Sequence, residues 1–393
     1  MKSKIIRTST VPQSLNTLLK GQLKYLNSYY DVIGLSSKGE QLLEVNKREG
    51  VKTIDVNMER RIAPFKDIIS LIKLIVVFRK ERPLIVHSIT PKAGLLTMLA
   101  GKIAGVPIRL HTFTGLIFPT RTGLMQKLLI KMDQLLCWSA TDIFPEGNGV
   151  KNDLIRFNIT KKPLEVIANG NVNGIDLSYF CPDAIKLTKL QELKQELNIK
   201  EKEFVFIFVG RLVRDKGINE LINAFERLQQ KVNRSIKLIL VGPLETELDP
   251  LEATTLKNIN ENEDIISVGY QKDVRSYLGI SDALVFPSYR EGFPNVVIQA
   301  GAMNLPSIVS DINGCNEIII EGINGSIIPV KDISILVERM YQLIYDKEYY
   351  NSLKQNSRKL ILERYEQSVV WDAVLEKYSS AIEKYKHRKE KNV

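Results

Sequence analysis

Four side chains in this 393-residue chain have types and spacings that suit chemistry: Arg211, Lys216, Glu291 and His111. Arg211 and Lys216 stand in the glycine-bounded run GRLVRDKG, residues 210–217 with Gly210 at its head, directly after the apolar stretch FVFIFV. Two cations in one short loop could converge on a single diphosphate, each charge-assisted bond contributing ~1.5–3 kcal/mol. Arg214 in the same run reads more readily as a solvated cation. Glu291 sits in YREGFPN, just ahead of a helical stretch whose first backbone N–H groups lack intrahelical partners and point where an anion could sit. A carboxylate beside such a site fits an anion attached to a hydroxyl-bearing group such as a sugar, or else serves the helix as an electrostatic cap. The residues alone leave both readings open.

These side chains need strand ends to present them. An apolar strand over 283–286, closed by Pro287, a loop over 288–293 and a helix over 295–303 begun by Pro294 hold Glu291; proline suits a first helical turn, where its missing N–H costs nothing. A strand at 307–310 follows. Strands at FVFIFV, KLILVGP, IISVGY and ALVF, with helices between them, predict a parallel α/β domain. The first half repeats the alternation: KIIRTST, DVIGLSS, KTIDV, LIVHSIT and IRLHTFTG read as strands, with a helix running on from Ser14. His87 and His111 close two of them, and ligands of open α/β sheets bind at carboxyl strand ends. His111 is the better candidate, having Thr112, Thr114 and Gly115 beside it. Lys92 opens the next helix, where it meets an anion or solvent. No G-x-G-x-x-G follows the first strand, which disfavours a dinucleotide-binding dehydrogenase.

Length and a 44% hydrophobic content suit two domains. The N-terminus lacks the apolar core of a signal peptide, and no apolar run is long enough to span a bilayer. The longest, DIISLIKLIVVF at 67–78, contains Lys73 and reads as a helix buried against a sheet. Cys137, Cys181 and Cys315 are too widely spaced for a disulfide framework or zinc site, which suits a reducing cytosol. Charge is unequal along the chain. Residues 1–180 hold 26 Lys and Arg against 14 Asp and Glu, net +12, and the remainder 29 against 31, net −2. A polyanionic partner for the first half is implied: nucleic acid, an anionic membrane or a phosphorylated acceptor. Interleaved aromatic and basic residues are lacking, which disfavours nucleic acid. The stretch 123–138 places Leu124, Leu128, Met132 and Leu135 along one stripe beside Arg121, Lys127 and Lys131, either an ordinary helix packed on its sheet or a basic amphipathic helix on an anionic membrane. The Asn- and Gly-rich stretch 166–180 reads as an interdomain hinge.

Three elements together resemble the retaining glycosyltransferases of family 4, which have the GT-B fold. They are GRLVRDKG, the run from Pro287 to Gly325 (PSYREGFPNVVIQAGAMNLPSIVSDINGCNEIIIEGING) and HTFTG at 111–115, and the similarity spans nearly the whole chain. TPKAGLLTMLAGKIAGVPIRLHTFTG and NGNVNGID further resemble bacterial members that build capsule or O-antigen repeat units on a lipid carrier. The resemblance implies two Rossmann-like doubly wound domains facing across a cleft. The first would span 1–180 and bind the acceptor, with a C-terminal helix at 369–393 crossing back to it; the second would span 181–368 and bind the nucleotide sugar.

The resemblance also implies roles. Arg211 and Lys216 meet the donor diphosphate, Glu291 lies by the donor sugar, the Asn295 and Val296 amides lie near phosphate, and His111 is at the sugar in the cleft. Gly210, Gly292, Phe293 and Pro294 complete the donor motifs. Where the family carries a second glutamate for the ribose hydroxyls, this chain has Gln299, which offers one acceptor group without charge assistance. The first loop, STVPQ, lacks the glycine pair of many members.

The implied reaction moves a sugar, with retention, from a UDP- or GDP-linked donor to a hydroxyl of a lipid-linked saccharide, by a cytoplasmic enzyme touching the anionic inner membrane face. No D-x-D occurs, so no metal or other cofactor is expected. The alternatives are a catalytically silent sugar-nucleotide-binding subunit, suggested by Gln299, and a non-hydrolysing sugar-nucleotide epimerase.

Overall fold

The computed structural model describes residues 2–59, 61–247 and 249–391. Two compact units divide the chain: Met1–Gly174 with Gln367–Val393, and Ile175–Glu366. The first is built on a parallel sheet of β1 (Lys4–Thr8), β2 (Asp31–Ser36), β3 (Lys52–Asp55), β4 (Ile85–Ser88), β5 (Ile108–Phe113) and β6 (Asp142–Pro145), in the order β3-β2-β1-β4-β5-β6. Its helices are α1 (Pro12–Leu18), α2 (Gln22–Asn27), α3 (Glu40–Glu49), α4 (Pro64–Glu81), α5 (Pro91–Ile103), α6 (Gly123–Ser139) and α7 (Asn148–Arg156). The single helix predicted from Ser14 begins earlier, at Pro12, and breaks before Gly21, since an interior glycine costs a helix about 1 kcal/mol.

Successive strand residues point to opposite faces, and the core divides accordingly. Ile6, Ile33 and Val86 pack with α4, α5 and α6 through Leu74, Phe78, Leu96 and Leu136. Their neighbours Ile5, Val32 and Ile85 pack on the other face with Leu15, Leu23 and Leu42. The C-terminal helix, Gln367–Glu390, completes this second face with Val374, Tyr378 and Ala381. Tyr378 anchors it through a buried knot in which its hydroxyl lies 2.7 Å from His87 Nδ1 and accepts from Arg7 Nη1 at 2.9 Å.

The second unit repeats the plan: β7 (Phe204–Val209), β8 (Ile236–Val241), β9 (Ile265–Gly269), β10 (Ala283–Phe286), β11 (Ser307–Ser310) and β12 (Gly325–Ile328), in the order β12-β11-β10-β7-β8-β9. Its helices are α8 (Leu187–Glu196), α9 (Ile218–Lys231), α10 (Ala253–Glu261), α11 (Arg275–Gly279), α12 (Asn295–Ala302), α13 (Cys315–Ile318), α14 (Ile333–Tyr345) and α15 (Lys347–Tyr365); the C-terminal helix is α16. All its strand pairs are parallel. The chain passes from β7 to β8 on one side and returns to β10 on the other, so the loops after β7 and β10 leave adjacent strand ends. That is the switch point where open α/β sheets bind ligands.

Candidate active site

The two loops meet at this switch point because backbone holds them together. Tyr289 N–H donates to the Asp215 carbonyl at 2.8 Å, and Arg290 pairs with Asp215 at 2.9 Å. Gly217, at φ 72°, packs so closely that a Cβ there would lie 2.1 Å from the Pro287 carbonyl oxygen. Only glycine meets both demands. The result brings Lys216 to Glu291: its ammonium donates to Glu291 Oε1, which also accepts from Ser288 Oγ at 3.0 Å. Both side chains of the pair are largely enclosed. The loop after β10 then leads into α12 through Gly292 and the buried Phe293, and Pro294 takes the capping position ahead of the first helical residue. Asn295 and Val296 supply the leading amides; that of Val297 already binds the Pro294 carbonyl. The α12 residue Gln299 is half-buried.

Arg211 does not join this pair. Its guanidinium donates to Glu245 at 2.6 Å, in the loop after β8, and stays half-exposed. Gly210 starts the loop at the end of β7 and donates to the Val241 carbonyl. Glu245, Asp215 and Ser288 were not singled out from sequence. Nothing in KLILVGPLETE reveals that β8 is the neighbour of β7, so the pairing of Glu245 with Arg211 had no linear signal. Arg214 pairs with Asp249 at 3.5 Å on the surface.

His111 requires a correction. It lies inside β5, two residues before its end, and its ring is 0% exposed. Nδ1 is 2.7 Å from Ser88 Oγ, while Nε2 is buried with no partner. The ring lies under α5, so close to Gly94 that a Cβ there would come within 2.5 Å of Cε1. Burial pushes its pKa down to about 3. A ring sealed in its own unit braces α5 on the sheet and does not reach a sugar. His87 is likewise buried one residue before the end of β4, its Nε2 2.8 Å from Thr112 Oγ1. Lys92 meets neither solvent nor a free anion; it donates to Asp67 at 2.6 Å and to the Arg61 carbonyl at 2.7 Å.

Two helices depart from expectation in the same way. In α4, Ser70, Leu74 and Phe78 are buried, while Phe65 (85% exposed), Ile68, Ile69, Ile72 and Val76 face solvent beside Lys66 and Lys73. In α6 the stripe expected to pack inward also lies outside: Leu124 is 85% exposed, and Leu128 and Leu135 are exposed. Leu136 and Cys137 make its core contact instead. Both helices flank α5. Among the described residues no helix is long and apolar enough to cross a membrane, and no cluster of His, Cys, Asp and Glu could hold a metal ion.

With this geometry in hand, comparison with known proteins is informative. The family described as glycosyl transferases group 1 matches residues 190–360, and glycosyl transferase 4-like matches residues 11–145. The capsular polysaccharide biosynthesis glycosyltransferase CapM of Staphylococcus aureus is 32% identical over 379 residues, covering 96% of this chain and 97% of that protein. The chain belongs to the group 1 glycosyltransferases. This transferase is also 29% identical over 304 residues to the UDP-Gal:alpha-D-GlcNAc-diphosphoundecaprenol alpha-1,3-galactosyltransferase of Escherichia coli, covering 77% of each. Its fold is that of a solved glycosyltransferase from Rickettsia africae, with a TM-score of 0.81 at 20% identity over 97% of this chain and 99% of the other. The transferase thus has the GT-B architecture of two doubly wound α/β units.

Proposed function

We propose that this glycosyltransferase moves a sugar, with retention, from a UDP- or GDP-linked donor to a hydroxyl of a lipid-diphosphate-linked saccharide in surface polysaccharide assembly. The Lys216–Glu291 pair beside the start of α12 carries this reading. As the bond from the sugar's anomeric carbon to phosphate breaks, its electrons pass to the leaving diphosphate. Lys216, Arg211 released from Glu245, and the Asn295 and Val296 amides stabilise that charge as it develops. The acceptor oxygen bonds to the anomeric carbon from the face the diphosphate leaves, and its proton passes to the departing phosphate oxygen. Glu291 positions Lys216 and the sugar, and Gln299 contacts the ribose. Gly210, Gly292, Phe293 and Pro294 shape the donor loops.

The first unit binds the acceptor, an assignment supported by its positive charge and by the lipid-linked acceptor that the E. coli relative's name gives. The exposed apolar rows of α4 and α6 beside Lys66, Lys73, Lys127 and Lys131 support peripheral contact with an anionic membrane. The test offers the protein a panel of UDP- and GDP-sugars with a polyprenyl-diphospho-N-acetylglucosamine acceptor and reads product and its anomeric configuration by NMR. Transfer with retention is expected. Conversion of donor without acceptor would identify an epimerase, and binding without turnover a silent subunit.

A further inference from the structure

The first unit contains a cavity of about 300 Å³ at the carboxyl ends of β1, β4 and β5, between the start of α1, the start of α5 and the flank of α6. Its wall is mainly apolar, with Phe113, Ile117, Leu129 and Met132 prominent. The volume is at the lower end for a small-molecule site, enough for one sugar residue rather than a repeat unit. Most polar groups here are already engaged. The Thr10 and Thr90 hydroxyls bond to each other at 2.8 Å, and Lys92 is held by Asp67. Asp133 is the exception: its carboxylate lines the cavity and has no hydrogen-bond or ion-pair partner among the described residues. A desolvated carboxylate without a partner is costly, and burial pushes its pKa up to about 7. Such a group makes sense where a ligand supplies the missing donor.

From one carboxylate set in an apolar wall, we infer that this cavity recognises an N-acetylated sugar of the acceptor, its acetamido N–H donating to Asp133 and its methyl packing on Leu129 and Met132. A sugar with hydroxyls alone would present more polar groups than the wall can satisfy, each left unpaired at a cost. This assignment rests on the acceptor reading above. Asp133 is a specificity residue and takes no part in bond making.

The experiment measures calorimetric binding of geranyl-diphospho-N-acetylglucosamine and of its glucose counterpart to the full-length protein without donor. The acetamido compound is expected to bind at least tenfold more tightly. Asp133→Leu should bring its affinity down to that of the glucose compound, and Met132→Trp, which fills the cavity, should weaken both. Equal binding of the two compounds, no binding of either, or a preference that survives Asp133→Leu would overturn the assignment. Thermal protection by UDP- or GDP-sugars is read on the same protein in parallel. Its loss would count against the donor reading and leave the cavity result standing on its own.

Discussion

Lys216 is neutralised by Glu291 and Arg211 by Glu245 before any donor arrives, so donor phosphates compete with protein carboxylates for both cations. The two pairs differ in environment. Lys216 and Glu291 are largely enclosed, whereas Arg211 is half-exposed. Lys216→Ala should lower kcat on the order of 10²-fold, the range for losing one donor aimed at a developing oxyanion; an unaltered rate in a folded variant removes Lys216 from the reaction. Glu245→Gln should act more gently. An exposed pair contributes ~0.2–1 kcal/mol, so freeing Arg211 should lower the donor KM by no more than roughly fivefold, and a raised KM would show that Glu245 positions Arg211 instead. Gln299→Glu should tighten donor binding. A collapse of affinity in that variant would mean the amide makes a contact that a carboxylate cannot.

At the scale of elements, α5 and α16 are each pinned to the sheet by a buried histidine. Tyr378→Phe takes the hydroxyl from both His87 and Arg7, and leaving buried polar groups unsatisfied should cost ~1–3 kcal/mol, read as a lower Tm. The two histidines also set an acid limit. Burial lowers the pKa of both, that of His111 to about 3 from an ordinary 6.5. The unfolded chain therefore takes up protons first, and their stabilisation, complete above pH 6.5, is lost as pH falls towards 3. Asp133 has the opposite sign. Its folded pKa is raised, so its cost grows as pH rises from 3.8 to about 7. The group with which it interacts across α6 is Cys137, pushed up to about 12 chiefly by burial, while Lys92 in the same cavity is occupied by Asp67. Asp133→Asn should therefore raise Tm at pH 8 and lose that gain near pH 4; an equal gain at both would show the carboxylate is not strained.

For the molecule as a whole, adding the C-terminal helix to the first unit sharpens the charge imbalance. That unit carries 32 basic and 17 acidic residues, net +15, and the other 23 and 28, net −5. Cosedimentation with vesicles containing phosphatidylglycerol should detect binding that falls with added salt and is absent with phosphatidylcholine alone. At about 1 kcal/mol per juxtamembrane cation, Lys127→Ala with Lys131→Ala should weaken it by about thirtyfold. Phe65→Glu with Leu124→Glu should abolish it; undiminished binding in either pair would sink the membrane contact.

Much of the donor site was legible in the linear chain because its parts are local. A strand, a glycine-bounded loop and a helix start are specified within some ten residues, and so the runs 204–217 and 283–302 announced both their elements and their charges. Three things were settled only by tertiary structure. Sheet order placed Glu245 against Arg211 and joined Lys216 to Glu291 across 75 positions. Depth turned His111 from an exposed candidate into a buried brace, since residue type and strand position do not say what covers a ring. The facing of α4 and α6 followed from which stripe α5 left room for: both helices are apolar on more than one side, so periodicity could not choose between core and surface. Sequence fixes local conformation through short-range sterics and hydrogen bonding, while burial and partnership depend on chain segments that meet only when the sheet is assembled.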